Sequence, residues 1–293
     1  MSNKLKVLVT GATGNTGSLL VPKLLNAGID VRVFVRDEKK AKHLKEAGAE
    51  VVIGDLDNPE TILPAVKNVD KIYLLTWNGP TQLRQVENTV RTAKEAGNPH
   101  IIRHSMWGSE KSRIIKQGLQ AEELIKSSGL PWTMLQPTFF MQNTMMAAQS
   151  ISSDGMIYWD MNDGKLGMID VRDIADAAFA VITGEGYQNK SYILTGPEAI
   201  SFNDVAKTFS KVLNTEVKYM NVPGEASKQA MVGMGIPEWI ADGFVELDEG
   251  FSKNFAGSTT KNIEILTGHP ARSLEQFAKD FAQVFESKKE AAY

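Results

Sequence analysis

TGATGNTG, residues Thr10 to Gly17, stands between an apolar run, Lys4–Val9, and a helical pattern, Ser18–Ala27. A strand that passes through closely spaced glycines into a helix is the setting of a dinucleotide-binding turn. Glycine lets the chain bend sharply and lets its backbone approach a pyrophosphate, while the free N–H groups that open the helix face the negative charge. Gly11, Gly14 and Gly17 can fill these roles. Their spacing is G-x-x-G-x-x-G instead of the commoner G-x-G-x-x-G, so the flanking elements carry the reading more than the spacing does. The competing reading is an ordinary strand-to-helix turn whose glycines serve packing alone.

Outward from this turn, short β-rich runs alternate with helical patterns. Strands are expected at Lys4–Thr10, Asp30–Arg36, Glu50–Gly54, Lys71–Thr76, His100–Ser105 and Trp132–Gln136. Their centres, such as Val7-Leu8-Val9 and Ile72-Tyr73-Leu74-Leu75, are continuously apolar, the pattern of strands covered by helices on both faces. Helices are expected near 16–27, 38–47, 60–67, 81–96, 111–128 and 138–150, several ending at a glycine: Gly28, Gly48, Gly97 or Gly129. Pro22 falls inside the first helix and predicts a local bend. The alternation breaks after Ser150. Leu166–Val171, a helix near 172–183 and a strand near Ser191–Leu194 then suggest a return to the sheet, and helices near 202–213, 225–235, 238–254 and 273–287 follow. The expected architecture is α/β: a Rossmann-type, doubly wound parallel sheet with a smaller, mainly helical C-terminal cap. Residues 1–155 form the dinucleotide-binding domain and 156–293 the substrate or cap region, with about 166–195 returning to the main sheet. A ligand should lie between sheet and cap, at the carboxyl ends of the strands.

Composition narrows the function classes. The 293 residues exceed the ~150 typical of one small domain and suffice for a large core. Lys and Arg number 32 against 35 Asp and Glu, a net charge of −3, so there is no basic footprint for nucleic acid. Cysteine is absent, which excludes disulfides, thiol catalysis and thiolate metal sites. No stretch suits a signal core or a membrane span, and a cytoplasmic location with no membrane partner is the default expectation. The sequon Asn189-Lys190-Ser191 is then without meaning.

The end of the second strand, Val33-Phe34-Val35-Arg36, lies about twenty residues beyond the glycine turn. An acid there binds the adenosine ribose hydroxyls of NAD, whereas an arginine suits the 2′-phosphate of NADP. Arg36 therefore favours NADP(H) over NAD(H), with Lys39 or Lys40 adding charge and Asp37 opposing it. A solvated charged turn is the plain alternative. Beyond the third strand, Asp55 can accept from an adenine amino group while Leu56 packs on the ring. A helix cap before Pro59 is the equal alternative for the acid.

TGATGNTG, VFVRD, VIGDLDN, SGLPWTMLQPTFFMQN and MIDVRDIADAA together resemble the NmrA-like branch of the atypical short-chain dehydrogenase/reductase superfamily, over roughly residues 4 to 195. That branch includes triphenylmethane dye reductases, NADPH-dependent quinone reductases and catalytically silent regulators that sense the NADP redox state. The resemblance implies cofactor contacts from Thr13, Asn15 and Thr16 in the turn and from Thr76 and Trp77 beyond the fourth strand. It also implies that Phe139, Phe140 and Asn143 lie close to the nicotinamide or substrate.

The wider superfamily carries a Tyr-x-x-x-Lys pair on the helix after the fifth strand, often with a Glu four residues beyond the lysine. Glu122 matches that Glu, which puts Gly118 at the lysine position and Ile114 at the tyrosine position. Lys116 does not substitute, because two residues along a helix rotate a side chain by ~200°. Without the tyrosine acid, alcohol oxidation and sugar epimerisation lose their positioned base. Hydride transfer to a quinone or cationic dye does not need one. The protein need only hold nicotinamide and acceptor face to face in a mostly apolar pocket. Trp77, Trp107, Phe139, Phe140 and Trp159 are candidate aromatic walls, and Met141, Met145, Met146, Met156 and Met161 candidate adaptable ones, each with ordinary core packing as its alternative.

His100 and His104 share a strand face about 13 Å apart at ~3.3 Å per residue, too far for one metal. Ser105 or His104 can orient a substrate oxygen at the strand end, or satisfy hydrogen bonds within the fold. Asp170, Asp173 and Asp176 read as helix capping and dipole chemistry, and no metal is expected. The lysine-rich end, Ser287-Lys288-Lys289-Glu290, reads as a solvated terminus. Two functions stay open: an NADPH-dependent reductase of quinone-like or other planar electrophilic acceptors, and a silent NADP(H)-binding redox sensor. Either leaves room for a homodimer or a regulatory protein partner.

Overall fold

The computed structural model describes residues 4–286. Its strands are β1 (Lys6–Thr10), β2 (Asp30–Val35), β3 (Glu50–Ile53), β4 (Lys71–Leu74), β5 (His100–His104), β6 (Trp132–Pro137), β7 (Met156–Trp159), β8 (Lys190–Leu194) and β9 (Lys218–Asn221). The helices are α1 (Gly17–Asn26), α2 (Lys42–Glu46), α3 (Pro59–Val66), α4 (Gln82–Glu95), α5 (Arg113–Ser127), α6 (Ala148–Asp154) and α7 (Val171–Thr183). After them come α8 (Phe202–Leu213), α9 (Gly224–Gly233), α10 (Glu238–Ser252), α11 (Asn262–Thr267), α12 (Leu274–Asp280) and α13 (Ala282–Phe285).

Among the described residues the main sheet runs β3-β2-β1-β4-β5-β6-β8, with every neighbouring pair parallel. This is the doubly wound Rossmann-type fold. Alternate side chains serve opposite faces, as the strand repeat of two requires. Val7, Val9, Val33, Tyr73, Ile102 and Leu135 pack with α1 and α7, while Leu8, Phe34, Ile72, Leu74, Ile101 and Met134 pack with α3, α4 and α5. The strand order reverses between β1 and β4, where Thr10 Oγ1 donates to the Leu75 carbonyl at 2.7 Å and accepts from Leu75 N–H at 2.8 Å. The side chain thus extends the ladder past the last backbone pair, at the point where such sheets open a crevice.

The expected strands lie within a residue or two of the observed ones, and Gly28, Gly48, Gly97 and Gly129 follow helices with φ between +76° and +118°, a region that favours glycine. Helix α1 continues as one element through Pro22, which sits on its exposed side. Other expectations need correction. Residues 166–171 form no strand: Leu166 and Ile169 make only isolated bridges, to Ile200 and Phe140, and β8 alone rejoins the sheet. The segment 138–150 is not one helix, because a 3₁₀ stretch, Met141–Ala147, precedes α6. The region 38–47 likewise divides into a 3₁₀ turn, Lys39–Ala41, and α2. The last helix breaks at Phe281 into α12 and α13. The terminal segment from Ser287 lies outside the described residues.

Beyond the sheet, β7 and β9 form a separate parallel pair that periodicity does not announce. With α8, α10, α12 and α13 they enclose a further core around Phe202, Phe209, Phe251 and Phe277. Phe139, at the end of β6, packs edge-on to Trp159, Phe202 and Phe251, and so joins this core to the sheet.

Candidate active site, a two-part cleft

Two cavities meet along the carboxyl edge of the sheet. The first, about 740 Å³, runs from the glycine turn past the ends of β2, β3 and β4. Gly11 has φ +64°, and a Cβ there would meet Leu75 at 2.6 Å. At Gly17 a Cβ would lie 2.3 Å from the Gly11 carbonyl oxygen, so the turn can close on itself only without side chains. Gly14 is different: its nearest neighbour would be 3.4 Å away, and it borders the cavity with Gly11 and Thr13. Gly17 lies buried behind them.

Arg36 and Lys40 also border this cavity, and among the described residues neither side chain has an ion pair or a hydrogen bond. Asp37 turns back onto the chain, accepting from Lys39 N–H at 2.9 Å. Asp55 and Leu56 line the wall. The Asp55 carboxylate accepts from Asp57 N–H at 2.9 Å, and the cap before Pro59 is supplied by Asn58, which accepts from Glu60 N–H. Thr76 and Trp77 close the cavity at the end of β4, with Thr76 buried and Trp77 half exposed. A turn in which Gly11 and Gly17 leave no room for a Cβ, two cations without a partner among the described residues at the end of β2 and an apolar slot at Leu56 fit a dinucleotide.

The second cavity, about 330 Å³, continues from the first and shares Leu75, Asn78, Ile236 and Phe244 with it. Asn15 and Thr16 border this part of the cleft, as do Ser105, Phe139, Phe140, Asn143, Met146 and Trp159. Ile114 and Gly118 face it from α5. Trp107 does not border it: the half-buried ring packs against the exposed Phe255, 5.8 Å between centroids, at the edge of the core around Phe251. Met141 and Met161 are buried core residues, and Met145 and Met156 also lie outside both cavity walls.

Several polar groups here have no sequence motif. Arg103, fully buried on β5, donates to the Leu74 carbonyl at 3.1 Å and to Thr76 Oγ1 at 2.8 Å, and has no carboxylate within ion-pair distance among the described residues. Burial lowers it to about 10, still protonated at neutral pH. Glu122 is engaged elsewhere, accepting from Gln136 at 2.8 Å and pairing with Lys126 at 3.2 Å. His104 Nδ1 lies 2.5 Å from the Tyr73 hydroxyl. Burial, with the charge of Arg103 beside it, pushes this imidazole down to about 3 and holds it neutral. Asp248, on α10, accepts from Trp159 Nε1 at 3.0 Å, and burial drives its carboxyl well above the carboxylate range. An arginine inside an apolar strand and an acid on the apolar face of α10 were the available signals. The contributions of Ile236 and Phe244 from the cap had none.

Elsewhere, His100 bonds Thr133 at 2.9 Å, well apart from this chemistry. Asp170 caps α7 by accepting from Arg172 N–H. Asp173, Asp176 and His269 bring ligand atoms within 4.8 Å of one another, but Arg272 pairs with both acids and Lys23 with Asp176.

With this geometry in place, the family model for NmrA-like proteins matches residues 3–280. The chain belongs to the NmrA-like family. An NAD(P)H azoreductase of Xenophilus azovorans is 36% identical over 282 residues, covering 95% of this chain and 99% of that protein. Among solved structures, the Escherichia coli NADPH-dependent quinone oxidoreductase in complex with NADPH superposes with a TM-score of 0.85 at 26% identity, covering 94% and 99% of the two chains. The Citrobacter sp. triphenylmethane reductase complexed with NADP(H) gives 0.83 at 27% identity, covering 94% and 99%. Among the described residues no helix is long and apolar enough to cross a membrane.

Proposed function

We propose that this NmrA-like protein is an NADP(H)-dependent reductase that delivers hydride to a quinone-like or other planar electrophilic acceptor without a Tyr-Lys pair. The observation that carries the reading is the continuity of the two cavities. The larger fits a dinucleotide, with Gly11, Thr13 and Gly14 at the pyrophosphate, Arg36 and Lys40 at the 2′-phosphate, and Asp55 and Leu56 at the adenine. The smaller, within the size range of small-ligand sites, opens beside it and is walled by Phe139, Phe140, Trp159 and Met146. NADPH, when bound, supplies the hydride. The chain's own task is to hold a flat acceptor against that end and to exclude water, with Asn15 and Thr16 contacting the cofactor where the two cavities meet and Asn143 beside the acceptor. Ile114 and Gly118, which carry no acid or base, border this cavity, so the reading assigns no proton transfer to α5.

The relatives named as an NADPH-dependent quinone oxidoreductase, a triphenylmethane reductase complexed with NADP(H) and an NAD(P)H azoreductase support this assignment. A cavity large enough for an acceptor favours an enzyme over a silent redox sensor. The test is NADPH oxidation at 340 nm against quinones and cationic dyes, with NADH and Arg36→Ala in parallel. Acceptor-dependent oxidation, faster with NADPH and weakened about tenfold or more by the variant, is expected from the loss of a charged contact to phosphate. Tight NADPH binding without turnover would replace the reductase by the sensor.

A further inference from the structure

We propose that His104 meets the acceptor as a neutral imidazole whose Nε2–H donates to the acceptor's oxygen, and that Tyr73 holds it in that tautomer. This deepens the reductase reading and rests on it. Tyr73 is completely buried, and among the described residues its hydroxyl has one side-chain partner, His104 Nδ1 at 2.5 Å. A buried hydroxyl needs an acceptor for its proton, and Nδ1 is the acceptor available. The ring hydrogen then belongs on Nε2. That atom makes no hydrogen bond to the described chain, yet it is not sealed from solvent as the unpartnered side-chain atoms Arg32 Nε, Gln82 Oε1 and Arg103 Nε are among the described residues. His104 borders the second cavity and keeps a small accessible surface.

The chemistry follows from charge. A quinone that accepts a hydride, the C4–H electron pair and proton of the reduced nicotinamide, becomes a hydroquinone monoanion as NADPH becomes NADP⁺, and water supplies the second proton. A fixed N–H aimed at that oxygen stabilises the charge as it forms. Arg103, in the same wall with no carboxylate in ion-pair contact among the described residues, adds a field of the same sign, which the more distant Glu122 reduces in part. His104 does not itself give up the proton: Nδ1 would have to take the hydrogen of Tyr73, whose buried phenol resists ionisation beyond its ordinary range. It is a hydrogen-bond donor, and Tyr73 is its positioning residue. The substrate class is therefore a neutral planar acceptor that becomes an anion, in preference to a cationic dye that becomes neutral.

The test is nitrogen NMR of the histidine-labelled full chain, saturated with NADP⁺ so that nothing turns over. The expected result is an Nε2–H tautomer that does not titrate between pH 5.5 and 8, with an Nε2 signal that shifts on addition of a quinone and stays in place with a cationic triphenylmethane dye. Kinetics then follow with His104→Phe, His104→Asn and Tyr73→Phe. In His104→Phe the quinone-to-dye rate ratio should fall about 100-fold with NADPH affinity unchanged, His104→Asn should recover part of it, and Tyr73→Phe should lose part of it. An Nδ1–H tautomer, an Nε2 signal indifferent to quinone, or an equal loss for both acceptors would overturn the proposal. Wild-type protein inactive on every acceptor would instead count against the reductase reading, and the NMR titration would still decide the hydrogen bond.

Discussion

Arg103 reaches from β5 to the end of β4, placing Nη2 on Thr76 Oγ1 at 2.8 Å while its own Nε has no partner among the described residues. The contact ties together two strand ends at the junction of the cavities. Thr76→Val removes the acceptor and leaves a buried cation still less satisfied. Denaturant unfolding should show a loss of about 1–3 kcal/mol, with weaker NADPH binding because Thr76 borders the first cavity. An unchanged midpoint would mean that the arginine is held by Leu74 alone.

The glycine turn separates two kinds of glycine. Gly17→Ala forces a methyl to within 2.3 Å of a backbone oxygen and should destabilise the fold by about 1–3 kcal/mol. Gly14→Ala meets only an ordinary contact and should stay within about 0.5 kcal/mol of wild type. Its methyl stands where the first cavity meets the turn, so NADPH affinity should drop about tenfold or more, equivalent to about 1.4 kcal/mol. Paired melting and fluorescence titrations distinguish the two. Equal effects in both assays would contradict the geometry.

Two buried histidines make stability sensitive to mild acid. Burial holds His104 at about 3 and His100 at about 4, both far below the unfolded value near 6.5. Below pH 6.5 the unfolded chain binds protons that the folded chain refuses, so stability is full above that pH and falls as it drops towards the folded values. Each group contributes at most about 1.4 kcal/mol per pH unit. Unfolding measured from pH 7 to pH 5 should decline with a slope that His100→Gln cuts by about half. A flat profile over that range would rule this out.

Asp248 has the opposite sign. Its folded carboxyl titrates well above the carboxylate range because of burial, so the contribution is complete below the unfolded value near 3.9 and is lost as pH rises through the folded one. Asp248→Asn keeps an acceptor for Trp159 and removes the ionisation. The variant should be more stable than wild type at pH 8 and level with it at pH 4, by thermal unfolding at both. Lower stability at pH 8 would show that the carboxylate has a partner.

The sheet was legible because a strand covered on both faces must be continuously apolar, as at Val7–Val9 and Ile72–Leu74, and because glycines punctuate it. The wall of the first cavity was legible because its residues are local: Gly11, Gly14 and Arg36 are close in sequence to the strand ends that position them. The second cavity is assembled from distant segments. Trp107 reads like a pocket aromatic until Phe255, nearly 150 residues later, covers it. The β7–β9 pair is short and mostly exposed on β9, so neither strand carries a strong repeat. Nothing in the composition of α10 announces that Phe244 spans both cavities.

That shared wall has a consequence for traffic through the cleft. Ile236 and Phe244 belong to a single stretch of cap yet touch the space of both occupants. An outward swing of this stretch would unroof the two compartments at once, and a bulkier side chain at either position would narrow both. The two compartments thus share a roof, although no residue of the α9–α10 stretch belongs to the glycine turn.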